Sequence, residues 1–191
     1  MPNLFALQSV VSCVVLSAVA VAVADDAGEI QKAIVYDSAM THLDFERIAK
    51  SKSGVRPSDF TDKSLTFAIM SLDANGTEAV NRDFRVLWGD TPKPAAMANE
   101  IYRERITGSR RILTGPVTLI HADRITSFAC DVKGNVATGI VGFRVPGLYE
   151  GSAKFMARKG KSSWIISEFQ IPSRKIHLVR NQDGFWKSEP N

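Results

Sequence analysis

From Pro116 to Asn181 the apolar pattern has period two, and short turn sequences interrupt it. Six runs result, at 117–122, 125–133, 136–145, 149–158, 163–171 and 175–181, separated by AD, GN, PGL, KGK and PS. Successive side chains of a strand point to opposite faces, so period two describes strands with one face on a core and one in water. The turns are too short for the crossovers that parallel strands need, which makes the runs an antiparallel meander of five to six strands. The fourth run alternates most clearly. Tyr149, Gly151, Ala153, Phe155 and Ala157 share one face, and Glu150, Ser152, Lys154 and Arg158 share the other.

The residues before this sheet carry helical signals. Residues 28–50 place Ile30, Ile34, Met40, Leu43 and Ile48 at helix-like spacing until Gly54 and Pro57 break the pattern. A second helix is expected over 91–108, where Thr91 caps, Pro92 suits the first helical position, Met97, Ile101 and Tyr102 form a stripe, and Gly108 stops it. Two helices preceding an antiparallel sheet can cover its apolar face, so the expected fold is α+β, with N-terminal helices packed on a curved sheet. The stretch SKSGVRPSD is too short to separate two domains, and residues 25–191 are read as one.

Between the helices lies LDANGTEAVNRDF, residues 72–84, which opens like a calcium loop. Counting from Asp73, Asn75 and Thr77 fall on ligand positions, but Glu78 stands where the bend needs Gly and Phe84 where a bidentate Glu should close the shell. Asn75-Gly76 between the alternating sets Leu65, Phe67, Ile69 and Phe84, Val86, Trp88 is instead a strong hairpin signal, and the expectation over 65–88 is a hairpin, with a helix-loop-helix as its rival. Asn75-Gly76-Thr77 also has the form of a glycosylation sequon.

The first 24 residues carry no charge, and Leu4 to Ala24 is nearly all apolar or small. Ala22-Val23-Ala24 followed by Asp25-Asp26 reads as a signal peptide over 1–24, cleaved after Ala24. The same run is just long enough to be an uncleaved anchor. Either way the remainder is expected outside the cytoplasm, periplasmic or extracellular. There it would hold only Cys130, at strand spacing with Phe128 and Val132, and no internal disulfide.

Residues 151–191 hold eight Lys or Arg against Glu168, Asp183 and Glu189. Arg158, Lys159, Lys161, Arg174, Lys175 and Arg180 form the expected basic surface, suited to an anionic surface or an acidic envelope partner. Without an interleaved aromatic platform, nucleic acid is not expected. His121 and Asp123 are two apart and are the only candidate acid-base pair. His42 and His177 have no metal-ligand spacing to Cys130, and no phosphate loop, nucleophile elbow or cofactor motif is present, so no metal or cofactor is expected. Phe143, Tyr149, Phe155, Trp164 and Phe169 cluster in the meander, either lining an apolar pocket in the sheet or filling its core.

The stretch GNVATGIVGFRVPGLYEGSAKFMARKGKSSWIISEF has a Gly turn, two long alternating strands and a G-x-x-x-W-I-I ending. Over residues 130–171 this resembles the nuclear-transport-factor-two-like (cystatin-like) α+β superfamily. The resemblance implies a curved sheet wrapped around helices, a fold that hosts both enzymes and non-catalytic secreted modules. Here a further strand, KIHLVRNQDGFW, follows. Three functional readings result: a non-enzymatic exported binding or accessory module of the cell envelope, an exported small-molecule binder or enzyme using a pocket in the sheet, and a membrane-anchored accessory of an envelope transport machine.

Overall fold

The computed structural model describes residues 26–39, 44, 47, 50, 55–88, 118–147 and 149–190. The proposed signal or anchor and the helix expected over 91–108 lie outside the described residues. A helix α1 covers residues 26–38, and its Ile30, Ile34 and Ser38, spaced four apart, are fully buried. Residues 44, 47 and 50 are also helical, and farther along the described residues lie α2 (Leu65–Leu72) and α3 (Ala74–Trp88).

These two helices replace the hairpin expected over 65–88. Leu65 and Ile69 are four residues apart, a spacing that suits one face of a helix as well as one face of a strand. Capping decides between them. The Ser64 hydroxyl accepts from the Phe67 N–H and starts α2. The Asp73 carboxylate accepts from the Asn75 N–H at 3.0 Å and starts α3. Asn75 and Gly76 therefore sit in the first turn of a helix, and the buried set on α2 includes Thr66, Ala68 and Met70, which no alternating strand face would bury together with Leu65 and Ile69.

Six strands form one open antiparallel sheet in sequence order: β1 (Ile125–Lys133), β2 (Val136–Val145), β3 (Tyr149–Lys159), β4 (Trp164–Ile171), β5 (Ile176–Arg180) and β6 (Trp186–Ser188). Burial along β3 alternates as its sequence requires, with Tyr149, Gly151, Ala153, Phe155 and Ala157 inward. Two cross-strand pairs set an aromatic ring against a glycine: Phe143 opposite Gly151, and Phe155 opposite Gly139. A Cβ on Gly151 would stand 2.7 Å from the Phe143 ring, and one on Gly139 would stand 2.5 Å from the Phe155 ring and 2.3 Å from the Ala129 carbonyl. Each ring fills the space that a side chain at the facing glycine would need. The sheet shifts register between Ile125 and Ser127 and between Met156 and Ala157, irregularities of the kind that bend strands.

Residues 118–120, expected within a first strand at 117–122, form a bend instead. The Leu119 N–H donates to the Thr66 hydroxyl at 3.3 Å and the Ile120 N–H to the Ser38 hydroxyl at 3.2 Å, so neither serves a sheet ladder. Thr66 gives its single hydroxyl hydrogen to the Ser38 carbonyl at 2.7 Å, which makes Ser38 the donor in the 2.8 Å contact between the two hydroxyls. This buried, mutually satisfied network ties the end of α1, α2 and the approach to β1 together, above a core that includes Leu65, Ile69, Val141, Phe169 and Leu178.

Candidate functional site: a cleft between the first helix and the sheet

The buried stripe of α1 fixes the helix on the sheet, and the adjacent stripe of Glu29, Lys32, Ala33, Tyr36 and Asp37 overhangs its β4–β5 end. Two adjoining hollows of about 670 and 460 Å³ lie beneath it, sharing Tyr36, Asp37, Ser163 and Trp164 as walls. The smaller continues along Ile165, Ser167, Arg180 and the Asn181–Gly184 turn. Together they form one cleft, and the Tyr36 ring in its wall is 65% exposed.

Charged pairs brace both ends. At the start of α1, one carboxylate oxygen of Asp26 accepts from Lys159 Nζ and from Trp164 Nε1, each at 2.9 Å. Those two hydrogen bonds, Lys159 first, hold the Asp26 carboxyl below the ordinary aspartate value. The Lys159 ammonium also lies 5.4 Å from the centre of the Trp164 ring. At the far end, Arg180 Nη2 meets Asp37 Oδ2 at 2.9 Å, and the guanidinium stacks 4.5 Å from the centre of Trp186. Burial lifts the Asp37 carboxyl above its ordinary value against the attraction of Arg180.

The basic residues singled out in the sequence therefore divide. Arg158, Lys161 and Lys175 are exposed. Lys159 and Arg180 brace the cleft, and Arg174 turns inward to pair with Asp73 at 3.3 Å while its guanidinium stacks 4.6 Å from Tyr149. Burial, and then the charge of Asp73, push the Tyr149 phenol well above its usual range.

The five clustered aromatics are all within 4% of full burial. Phe143 stacks on Tyr149 at 5.9 Å and Phe155 on Phe128 at 5.5 Å, and Phe169 lies in the same core. Trp164 also borders the cleft, and Phe155 lies under a groove of about 370 Å³ on the outer sheet face. In that groove Glu168 accepts from Gln170 Nε2 at 2.6 Å, and its same oxygen lies 3.0 Å from His177 Nε2. His121 Nδ1 and Asp123 Oδ2 stand 3.4 Å apart, with the aspartate 89% exposed. The same His121 nitrogen accepts from the Asp123 N–H, which makes it the cap of the short turn before β1. Cys130 is half-buried beside Phe128 and Val132, and burial raises its thiol pKa. Among the described residues no three His, Cys, Asp or Glu side chains gather as a metal site, and no helix is long and apolar enough to cross a membrane.

Sequence reading missed Tyr36, Asp37, Asp26 and Ile165. One signal was available for Tyr36: it is an aromatic residue placed off the Ile30–Ile34 stripe of its helix.

These features define an α+β domain with an open six-stranded meander, helices on its inner face and a side cleft at one end. No protein-family model, curated protein or solved structure matches the chain.

Proposed function

We propose that this protein is a non-enzymatic binding and accessory module of the cell envelope, exported by residues 1–24 and engaging its partner through the cleft between α1 and the β4–β5 end of the sheet. The exposed ring of Tyr36 carries this reading. A tyrosine 65% exposed in the wall of a hollow that the Asp37–Arg180 pair also lines offers a large rigid contact at little conformational cost. The apolar run of 4–24 and its Ala22-Val23-Ala24 site support export. Kinship with the nuclear-transport-factor-two-like superfamily belongs to the same proposal and rests on the pattern of residues 130–171.

Site-specific photo-crosslinking in the native envelope tests it. A benzophenone amino acid at Tyr36 is expected to give a discrete adduct, and the same residue at the exposed Ser152, on the outer face, is expected to give none. No adduct from position 36, or the same adduct from both positions, would contradict the reading.

A further inference from the structure

The outer face of the sheet carries apolar and cationic side chains in alternate columns at one end. Val136 opposes Arg158, and Arg158 opposes Ile165, so two exposed β-branched residues bracket a cation in one row across three strands. Two residues farther along β3, Met156 is half-buried, and two beyond that Lys154 opposes Ile140. Val136, Ile165 and Ile140 are 40%, 44% and 47% exposed, three of the five large apolar residues most open to water among those described. Ile165 lies over Gly160 of the β3–β4 turn, and that turn adds the exposed Lys161.

The charges on this face are not balanced within it. Lys154, Arg158 and Lys161 form no ion pair among the described residues. The two carboxylates in the middle row are engaged: Asp131 with Lys133 at 2.8 Å, and Glu168 with Gln170 and His177. An apolar row with interleaved, uncompensated cations complements a surface that offers anionic groups outside and hydrocarbon just beneath.

We propose that this end of the outer face docks on an anionic phospholipid bilayer, with Val136, Ile165 and Ile140 at the headgroup boundary and Lys154, Arg158 and Lys161 on the lipid charges. Ile165 belongs to both this patch and the cleft wall, so docking sets the mouth of the cleft beside the membrane. The proposal does not depend on what the cleft binds.

Co-sedimentation of the full chain with vesicles tests it, comparing neutral phosphatidylcholine with vesicles one-third phosphatidylglycerol. Residues 4–24 are common to every arm, so the readout is the ratio of the two partition coefficients. That ratio is expected to be about tenfold or more at low salt and to shrink as salt screens the charges. Arg158→Glu is expected to lower it about tenfold, whereas Lys175→Glu, the same charge change at the opposite end of the sheet, leaves it nearly unchanged. Ile165→Ser is expected to lower anionic-vesicle binding about threefold or more. Thermal melts establish that each variant is folded before it is compared. A ratio near one, equal effects of Arg158→Glu and Lys175→Glu, or full binding by Ile165→Ser would overturn the proposal, the last by revealing a purely electrostatic surface for soluble polyanions.

Discussion

Replacing Asp73 with alanine removes two separate contacts, and replacing it with asparagine removes only one. The first contact is the cap on α3, made by a carboxylate oxygen accepting from the Asn75 N–H at 3.0 Å. Loss of such a cap costs about 1 kcal/mol, and asparagine caps nearly as well as aspartate. The second is the ion pair with Arg174 at 3.3 Å, with the two side chains 11% and 26% exposed. That exposure lies between the surface case, worth about 0–1 kcal/mol, and the buried case, where removing one partner costs about 3–5, so about 1–2 kcal/mol is expected. Asp73→Ala should therefore destabilise by about 2–3 kcal/mol and Asp73→Asn by about 1–2. Urea unfolding followed by tryptophan fluorescence measures both, and in the Arg174→Met background the asparagine substitution should become nearly neutral. Because one carboxylate oxygen caps the helix and the other faces Arg174, unfolding in calcium and in chelator should superimpose. Equal losses for Ala and Asn would refute the cap, an undiminished Asn loss in the Arg174→Met background would refute the ion pair, and a calcium-dependent gain that Asp73→Ala abolishes would refute both assignments.

Gly139→Ala should cost about 3 kcal/mol in the same assay, because its Cβ would meet the Ala129 carbonyl, a backbone atom that cannot rotate away. Trp164→Ala should cost about 3–5 kcal/mol, the range for emptying a buried aromatic site, and a change within error would contradict its burial. Asp37 binds its proton more tightly in the folded state, since burial raises its pKa. Its titration therefore adds stability as pH falls through the folded pKa toward the ordinary aspartate value, and removes it as pH rises. Denaturant titrations of wild type and Asp37→Asn between pH 7 and pH 4 should show the difference moving in favour of wild type on acidification, and movement the other way would show that Arg180 outweighs burial.

The sheet was legible in the sequence because period two and short turns leave few other arrangements. The runs at 125–133 and 136–145 coincide with β1 and β2 at both ends. Elsewhere the letters were ambiguous or the decisive partner was distant. Leu65 and Ile69 satisfy both periods, and the choice of helix came from Ser64 and Asp73 acting as caps, one of them disguised as a calcium ligand. The run at 117–122 alternates like a strand, but hydroxyls on Ser38 and Thr66, 82 and 53 residues away, take its N–H groups. The cleft was invisible for the same reason. Arg180 reads as surface charge until α1 brings Asp37 to it, and Tyr36 gains significance only from the wall it faces.

Whether Tyr36 serves binding rather than folding is tested most directly by retention of the partner that the adduct identifies, in its free form, on immobilised wild-type and Tyr36→Ala protein, with thermal melts of both. Its ring is 65% exposed, so the substitution should leave the melting temperature within about 2 °C of wild type. Retention should fall at least about tenfold, as for loss of an aromatic anchor. Undiminished retention by a folded Tyr36→Ala protein would contradict the account, and a large drop in melting temperature would assign Tyr36 to the fold instead of the cleft.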